Sequence, residues 1–233
     1  MNGHSFQFGE QRLTALPSGA LFWPDRRLLC VSDLHLGKSD RIARRSGQML
    51  PPYETRDTLG KLAQDIAATD PATVLCLGDS FDDLMAAESL ADDDTALLTS
   101  LQAGRRWLWL EGNHDPGPVS LGGTHLAVHT DGGLTFRHIA ADMPYEISGH
   151  YHPKYAVPGA GTRPCFLTDG RRLIMPAYGA YTGGLNARDP AFASLFGPRI
   201  IAILTGHKAI CVPVDARPSG RQAPLNRWRD STR

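Results

Sequence analysis

The chain has 233 residues, of which 42% are hydrophobic and 21% are charged, and these values are ordinary for a soluble globular protein. This length suffices for one well-buried α/β domain and would be cramped for two. Lys plus Arg and Asp plus Glu each number 24, so the formal net charge is zero. A balanced total argues against a general electrostatic nucleic-acid binder, although it allows a local basic patch.

In chain order, short apolar runs predict strands at 27–32, 73–77, 107–110, 125–129, 134–138, 200–205 and 209–214. Two longer segments, 54–68 and 84–101, have apolar residues at helical spacing and predict helices. The first half alternates strand and helix, whereas the second half consists mostly of strands joined by Gly- and Pro-rich turns. This asymmetry predicts a mixed sheet system covered by helices rather than a simple doubly wound sheet.

The chain is expected to form a single domain over 1–216, followed by a polar, Arg-rich and flexible tail over 217–233. No stretch approaches the roughly 18 consecutive apolar residues of a membrane span, and the N-terminus lacks a charged segment followed by an apolar core. We therefore expect a cytoplasmic protein with no membrane association. Four cysteines are widely spaced and form no CxxC pair: Cys30, Cys76, Cys165 and Cys211. Three of them lie in apolar, strand-like runs, which favours buried reduced thiols over disulfides or a zinc site.

Two motifs that contain candidate carboxylate ligands follow predicted strands in the first half of the chain. The first, SDLH at 32–35, places Asp33 and His35 two residues apart. In extended backbone their side chains leave the same face, so they can share one metal ion. The second, GDSFDD at 78–83, begins with Gly78, which lets the backbone approach closely. Asp79 follows, and its two oxygens can bridge two cations.

Three further motifs add neutral ligands. GNHD at 112–115 offers Asn113 as an oxygen ligand and His114 as a group placed to give or take a proton. His138 stands alone at the end of a predicted strand, and GHYH at 149–152 places His150 and His152 on one face of an extended segment. Each motif alone is compatible with chance or with turn chemistry. The ordered series DxH, GDxxD, GNHD, His and GHxH is specific and favours a two-metal site.

This series resembles the calcineurin-like metallophosphoesterase superfamily. The resemblance implies a four-layer α/β/β/α sandwich of two mixed β-sheets flanked by helices, with the ligands on loops at strand ends. It implies that one metal ion is held by Asp33, His35, Asp79 and His152. It implies that a second ion is held by Asp79, Asn113, His138 and His150, with Asp79 as the bridge. The mixed oxygen and nitrogen ligands suit Mn²⁺, Fe or Zn²⁺ better than Ca²⁺, and the family favours manganese.

The chemistry expected of such a site is phosphoester hydrolysis. Two divalent ions about 3.5–4 Å apart can polarise a phosphoryl oxygen, stabilise an in-line displacement and make hydroxide available near neutral pH. His114 is the candidate general acid for the leaving oxygen, or a donor to the phosphoryl group. Asp82 matches the last Asp of GDxxD and is interpreted as the partner of a metal ligand rather than as a ligand. Its neighbour Asp83 is the alternative for that role.

A smaller family is more closely similar. The segments VSDLHLGK, LGDSF, GNHDP, ISGHYHP and PAYGAYTGGLN resemble the bacterial ligase-associated DNA damage response endonucleases of the PdeM type. The resemblance covers about residues 21–214 and implies a phosphodiesterase or endonuclease acting on DNA during repair, with a ligase or helicase as candidate partners. One departure is Asp82, because this family often has a histidine at that position. The departure bears on the choice between Asp82 and Asp83, and it leaves the metal ligands unaffected.

Basic and aromatic residues supply the candidates for substrate contacts. Four basic residues follow the first motif: Lys38, Arg41, Arg44 and Arg45. If this segment is helical, the three arginines share one face that could track a phosphate backbone, and a solvated surface helix is the alternative. Tyr178 and Tyr181 could stack on a base or line the cleft. Ordinary packing beside a glycine-rich turn is an equally good interpretation of both.

Two other functions are compatible with these motifs. A small-molecule phosphatase or nucleotide hydrolase would use the same metal centre, so the ligands alone do not separate it from a DNA diesterase. A non-catalytic scaffold, such as the retromer scaffold subunit, keeps this fold with a degraded site. The presence of His114 beside a full ligand set argues against the scaffold hypothesis. The sequence leaves the oligomeric state open.

Overall fold

A computed structural model of the chain describes residues 2–47, 51, 53–117, 120–159 and 161–214. Within this part of the chain, fifteen strands form two mixed sheets accompanied by five α-helices. The predicted tail at 217–233 lies outside the described residues. Among the helices that are described, none is both long and apolar enough to cross a membrane.

The first sheet contains seven strands, which are neighbours in chain order. They are His4–Phe8 (β1), Gln11–Ala15 (β2), Leu21–Trp23 (β3), Leu28–Val31 (β4), Thr73–Leu77 (β5), Arg106–Leu110 (β6) and Thr124–Leu126 (β7). Strands β1 to β4 pair antiparallel, whereas β4 to β7 pair parallel. Because parallel strands point the same way, the carboxyl ends of β4, β5 and β6 meet at one edge of the sheet.

The second sheet has eight strands and a central parallel part. They are His129–Asp131 (β8), Leu134–Phe136 (β9), Glu146–Ser148 (β10), Lys154–Val157 (β11), Gly161–Thr168 (β12), Arg172–Ile174 (β13), Ile200–Leu204 (β14) and Ile210–Val214 (β15). The strand order is β15-β14-β12-β13-β10-β9-β8, and β11 pairs with β12. Strands β9, β10 and β13 are parallel. The carboxyl ends of β9 and β10 therefore lie at the same edge.

The two sheets pack face to face through a shared apolar core. Leu75 and Leu108 of the first sheet belong to one buried cluster with Ile147, Phe166 and Leu173 of the second. Each of these side chains is 0% exposed, and full burial of one such side chain contributes roughly 1.5–3 kcal/mol. This core fixes the two sets of strand ends relative to each other.

Helices cover the outer faces of both sheets. They are Lys38–Ser46 (α1), Glu54–Thr69 (α2), Leu84–Glu88 (α3), Asp92–Gln102 (α4) and Pro190–Ala193 (α5). Leu59 and Leu62 of α2 and Leu98 of α4 pack with Cys76 on the outer face of the first sheet. Phe192 of α5 packs in the cluster on the outer face of the second sheet. The predicted four-layer α/β/β/α sandwich is confirmed, and its fourth layer, on the second sheet, contains the short helix α5.

Two predicted elements are wrong because each is divided. The segment 84–101 forms α3 and α4 rather than one helix. The Ser89 hydroxyl donates to the carbonyl of Met85 at the end of α3, and three successive aspartates favour a new helix N-terminus at Asp92. The segment 125–129 is divided between β7 of the first sheet and β8 of the second. Ala127 and Val128 carry the chain from one sheet to the other.

Other predictions agree with the structure to within about one or two residues at each end. The predicted strand 73–77 matches β5, and the predicted helix 54–68 matches α2. Strands β1 to β3 and β10 to β13 were not predicted. Cys30 and Cys76, which lie in predicted strands, are buried as expected, and Cys165 is buried as well. The expectation is wrong for Cys211, which is exposed because it lies on β15 at the edge of its sheet.

Candidate metal centre

The loops that follow β4 and β5 are joined by backbone hydrogen bonds. The N–H of Asp33 donates to the carbonyl of Gly78 at 3.2 Å, and the N–H of His35 donates to the carbonyl of Asp79 at 3.0 Å. These bonds extend the parallel pairing past the ends of the strands. As a result, the DxH and GDxxD motifs lie side by side.

The first cluster of candidate ligands contains Asp33, His35 and His152, whose ligating atoms lie within 4.8 Å of one another. His152 Nε2 is 3.1 Å from Asp33 Oδ1. The Nε2 atom of His35 is buried and has no hydrogen-bond partner among the described residues. A buried ring nitrogen in this state costs free energy unless something binds it, so it fits a cation between these three side chains.

The second cluster contains Asp79, His138 and His150, again with ligating atoms within 4.8 Å. His138 Nε2 is 3.3 Å from Asp79 Oδ2 and 2.9 Å from Asn113 Oδ1. Asn113, which lies in the loop after β6, therefore joins the cluster as a neutral oxygen. This group has the oxygen and imidazole donors expected around a divalent transition metal.

Asp79 connects the two clusters. A third set of ligating atoms within 4.8 Å of one another comes from His35, Asp79 and His114, so Asp79 lies close to members of both clusters. All seven residues proposed as metal ligands are brought together at one edge of the sandwich. They divide into the two groups that the superfamily resemblance implied. The assignment of each residue to an ion stays a prediction.

The charges at the centre are strongly coupled. Burial raises the pKa of Asp79, but hydrogen bonds from His138 and from the backbone of His114 outweigh it and lower that pKa to about 2. Burial lowers the pKa of His138, but contact with Asp79 and the charge of Asp33 give a net increase. Burial and the nearby His138 lower the pKa of His150. The cluster thus combines ionised carboxylates with imidazoles, and a metal ion would take the place of the proton on His138.

The ligands are presented by left-handed backbone. The φ angles are +53° for Asp33, +46° for His35, +44° for Asp79, +69° for His150 and +46° for His152. Non-glycine residues adopt this region at a cost, and such residues concentrate at functional sites. The sequence argument from extended backbone is therefore wrong for both the DxH and the HxH motif. His150 lies in a bend, and His150 and His152 belong to different clusters.

Two glycines allow the loops to approach one another. Gly78 has a φ of +72°, and a Cβ atom there would collide with the imidazole of His138. A Cβ atom on Gly112 would collide with the backbone nitrogen and a carboxylate oxygen of Asp79. The expectation that Gly78 permits close approach is confirmed.

Asp82, rather than Asp83, contacts a candidate ligand. The Asp82 side chain is fully buried, and its Oδ1 is 2.9 Å from Nδ1 of His35. Its Oδ2 accepts a hydrogen bond of 2.7 Å from Arg41. Despite burial, the hydrogen bonds from His35 and Arg41 hold the pKa of Asp82 well below its usual range. A carboxylate in this position fixes the ring so that Nε2 points to the metal position.

Asp83 has a separate structural role. Its carboxylate accepts a hydrogen bond of 2.7 Å from the backbone N–H of Ala86 and caps the N-terminus of α3. It also accepts a hydrogen bond of 2.9 Å from Arg44. Neither contact involves a candidate metal ligand.

The basic residues after the first motif lie on helix α1, as the phosphate-tracking hypothesis required. Their charges are largely compensated, because Arg41 binds Asp82 and Arg44 binds Asp83. The Lys38 ammonium is 3.8 Å from Asp82, and Arg45 is exposed. The carboxylates of GDSFDD thus neutralise much of this basic face.

Tyr178 and Tyr181 differ in their surroundings. Tyr178 is 0% exposed, its hydroxyl donates to Asp65 at 2.8 Å, and its ring lies 3.8 Å below the ammonium of Lys61. A ring enclosed in this way packs in the interior and cannot stack on a base in this arrangement. Tyr181 is 49% exposed and remains free to contact a substrate.

His114 is positioned by two polar contacts. Its backbone N–H donates to Asp79 Oδ1 at 2.8 Å, and its Nδ1 is 3.0 Å from the carbonyl oxygen of Asp82. Because a carbonyl oxygen only accepts, Nδ1 carries the hydrogen and Nε2 is left for a substrate. The rings of His114 and His35 have centroids 5.1 Å apart. The side chain therefore lies at the margin of the centre.

Two positioning residues were missed in the sequence. Asp115 is buried and accepts hydrogen bonds from the backbone N–H groups of Ser80, Phe81 and Gly112, which ties the GNHD loop to the GDSF loop. The Ser32 hydroxyl donates to Asp33 Oδ2 at 2.5 Å. Ser32 lies inside SDLH and Asp115 lies inside GNHD, so their positions in these recognised motifs could have indicated a role at the site.

Comparison with known proteins identifies the class of protein to which this fold and this candidate metal centre belong. The sequence model of the calcineurin-like phosphoesterase family matches residues 26–210, and the chain belongs to this family. The family hydrolyses phosphoester bonds with divalent metal ions, and the Asp and His clusters described above could hold such ions.

One solved structure similar to this chain is the crystal structure of Pseudomonas putida nuclease MPE. It is 25% identical, has a TM-score of 0.70 and covers 91% of this chain and 100% of that chain. No curated protein was found to match this chain.

Proposed function

We propose that this protein is a two-metal phosphodiesterase that cleaves phosphodiester bonds in DNA. The convergence of seven candidate metal ligands from five loops into two clusters, with Asp79 close to members of both, carries the proposal. Such a pair of sites suits in-line displacement at phosphorus.

Three residues of the chain have proposed roles in this hydrolysis beyond the candidate metal ligands: Asp82, Ser32 and His114. When bound, two divalent ions supply an activated water and neutralise charge on the phosphoryl group. Asp82 orients His35 through Nδ1, and Ser32 holds the carboxylate of Asp33. His114 presents Nε2 to the substrate and, when protonated, gives its proton to the leaving oxygen.

DNA is the proposed substrate for two reasons. The similar solved structure is described as a nuclease, and it covers 91% of this chain. The five quoted segments also resemble the PdeM-type repair endonucleases, and from this resemblance we propose Mn²⁺ as the metal, with Fe or Zn²⁺ as alternatives. A role in repair, with a ligase or helicase as partner, stays a prediction from the same resemblance.

One observation favours a second candidate function, hydrolysis of a small phosphomonoester or nucleotide. The charges of Arg41 and Arg44 are compensated by Asp82 and Asp83, which leaves a weaker basic track for a long phosphate backbone than the sequence suggested. A small substrate needs no such track.

The proposal is tested by substrate comparison in the presence of manganese. Rates on bis-p-nitrophenyl phosphate, on p-nitrophenyl phosphate and on single-stranded DNA are measured with wild-type protein and with Asp79→Asn and His114→Ala. Diester and DNA cleavage that both variants abolish or strongly reduce supports the proposal. A strong preference for the monoester over every diester would favour the small-molecule hypothesis, and unchanged rates in the variants would place the activity elsewhere.

A further inference from the structure

A pocket, called the side pocket, opens next to the candidate metal centre. Its volume is about 300 Å³, and the residues that line it include Glu111, Asn113, Val128, Arg137, His138 and Ile139. Asn113 and His138 also belong to the candidate metal centre, so the pocket is continuous with it. A group bound in the pocket would therefore lie beside a phosphate bound at the metals.

One side of the pocket is apolar. Val128 is 40% exposed and Ile139 is 46% exposed, and the two residues come from different segments of the chain. Val128 lies where the chain crosses between the sheets, and Ile139 follows His138 directly. Exposed branched aliphatic side chains contribute nothing to binding a phosphate, but they favour contact with a planar apolar surface.

The other side of the pocket is polar and offers both an acceptor and a donor. The Glu111 carboxylate is exposed and makes no hydrogen bond or ion pair within the part of the chain that the structure describes. The guanidinium of Arg137 is held in place, since its Nε is 3.2 Å from Glu146 and its Nη2 is 3.7 Å from the sulfur of Met143. An apolar wall with a few fixed polar groups is the usual composition of a small-ligand site.

We propose that the side pocket binds the nucleobase of the nucleotide next to the scissile phosphate. This inference rests on the proposed function. A pocket of about 300 Å³ accommodates one base with part of its sugar. A base can lie against the aliphatic side chains of Val128 and Ile139 while Glu111 and Arg137 face its polar edge.

The inference is tested with chromogenic diesters that differ in one group. The substrates are the p-nitrophenyl esters of thymidine 5′-phosphate and thymidine 3′-phosphate, and ethyl p-nitrophenyl phosphate, which carries no base. The Val128→Ala/Ile139→Ala double variant should lower kcat/KM about tenfold for at least one thymidine ester. The same variant should leave kcat/KM for the ethyl ester unchanged. Val128→Trp, which fills the pocket, should give the same pattern.

The control is Ile201→Ala, which shortens an equally exposed aliphatic side chain on β14, four strands away from β9. It should change none of the three rates. Thermal unfolding and bound manganese are measured for every variant, and both should match the wild type. Equal losses on all three diesters, or no loss on either thymidine ester, would overturn the inference. If wild-type protein with manganese turned over no diester at all, the proposed function would fail and the inference with it.

Discussion

The partner of His35 gives the sharpest prediction about the metal centre. Asp82→Asn keeps the size of the side chain but removes its charge, so the contact with His35 Nδ1 loses its ionic component. The hydrogen bond of 2.7 Å from Arg41 to Asp82 also loses its ionic component. Hydrogen bonds to a charged group are about twice as strong as neutral ones, so the ring of His35 becomes less firmly oriented as a candidate metal ligand.

Removing such a partner typically weakens metal binding or activity by 10–100-fold, which corresponds to about 1.4–2.8 kcal/mol. We expect Asp82→Asn to weaken the binding of the ion held by the cluster of Asp33, His35 and His152 by this factor. Calorimetric titration of the metal-free protein with Mn²⁺ measures the effect directly. The manganese concentration that gives half-maximal diester hydrolysis should rise by a similar factor.

Asp83→Asn is the matched control because it makes the same chemical change one residue later. Asparagine caps a helix about as well as aspartate, so the contact with Ala86 at the start of α3 survives. The lost pairing with Arg44 is partly exposed to solvent and is worth about 1 kcal/mol at most. Manganese binding should be unchanged. If Asp83→Asn weakened it as much as Asp82→Asn, or if Asp82→Asn bound two ions as tightly as the wild type, the assigned role of Asp82 would be refuted.

Three further predictions concern other positions. His114→Ala should lower kcat about 10²–10⁴-fold at unchanged metal content, and an unaltered kcat would exclude it as the proton donor. Gly78→Ala should lower the free energy of unfolding by more than about 1 kcal/mol and weaken metal binding, because the added Cβ collides with His138. A wild-type melting temperature together with a wild-type metal content would contradict this prediction. Tyr178→Phe removes the hydroxyl that donates to Asp65 and should cost about 1 kcal/mol in denaturant unfolding without changing KM for DNA, whereas Tyr181→Ala should cost less than about 0.5 kcal/mol. A raised KM for DNA in Tyr178→Phe would contradict a purely structural role of the Tyr178 hydroxyl.

The identity of the candidate site was predictable because its chemistry lies in short motifs. Each motif follows an apolar run, and parallel strands bring their carboxyl ends to one edge. The meeting of Asp33, Asp79 and Asn113 was implied by the family resemblance, and the parallel pairing of β4, β5 and β6 explains it. The order and spacing of the motifs also carried the family resemblance, and from it the two-sheet architecture that the structure confirms.

The geometry of the site was less predictable, because it depends on contacts that are distant in sequence. Left-handed backbone at His35 and His152 is maintained by surrounding loops, and no local pattern reveals it. The choice between Asp82 and Asp83 depends on where Arg41 and α3 lie. Both the backbone conformation of the ligands and the role of Asp82 are therefore set by tertiary packing rather than by the local sequence.

The errors in the fold have physical causes of the same kind. The apolar spacing of 84–101 fits one helix, and only the capping contacts around Ser89 and Asp92 show the break. The segment 125–129 has strand composition at both ends but changes sheet at Val128. Strand β1 was the most detectable omission, because HSFQF alternates polar and apolar residues and its burial alternates in the same way.

The central claim is that two metal ions bind at one edge of the sandwich and share Asp79. Anomalous diffraction from crystals grown with Mn²⁺ tests it most directly. We expect two peaks about 3.5–4 Å apart, one beside Asp33, His35 and His152, and the other beside Asn113, His138 and His150, with Asp79 in contact with both. A single peak, peaks at other residues or no peak with manganese in excess would contradict the account.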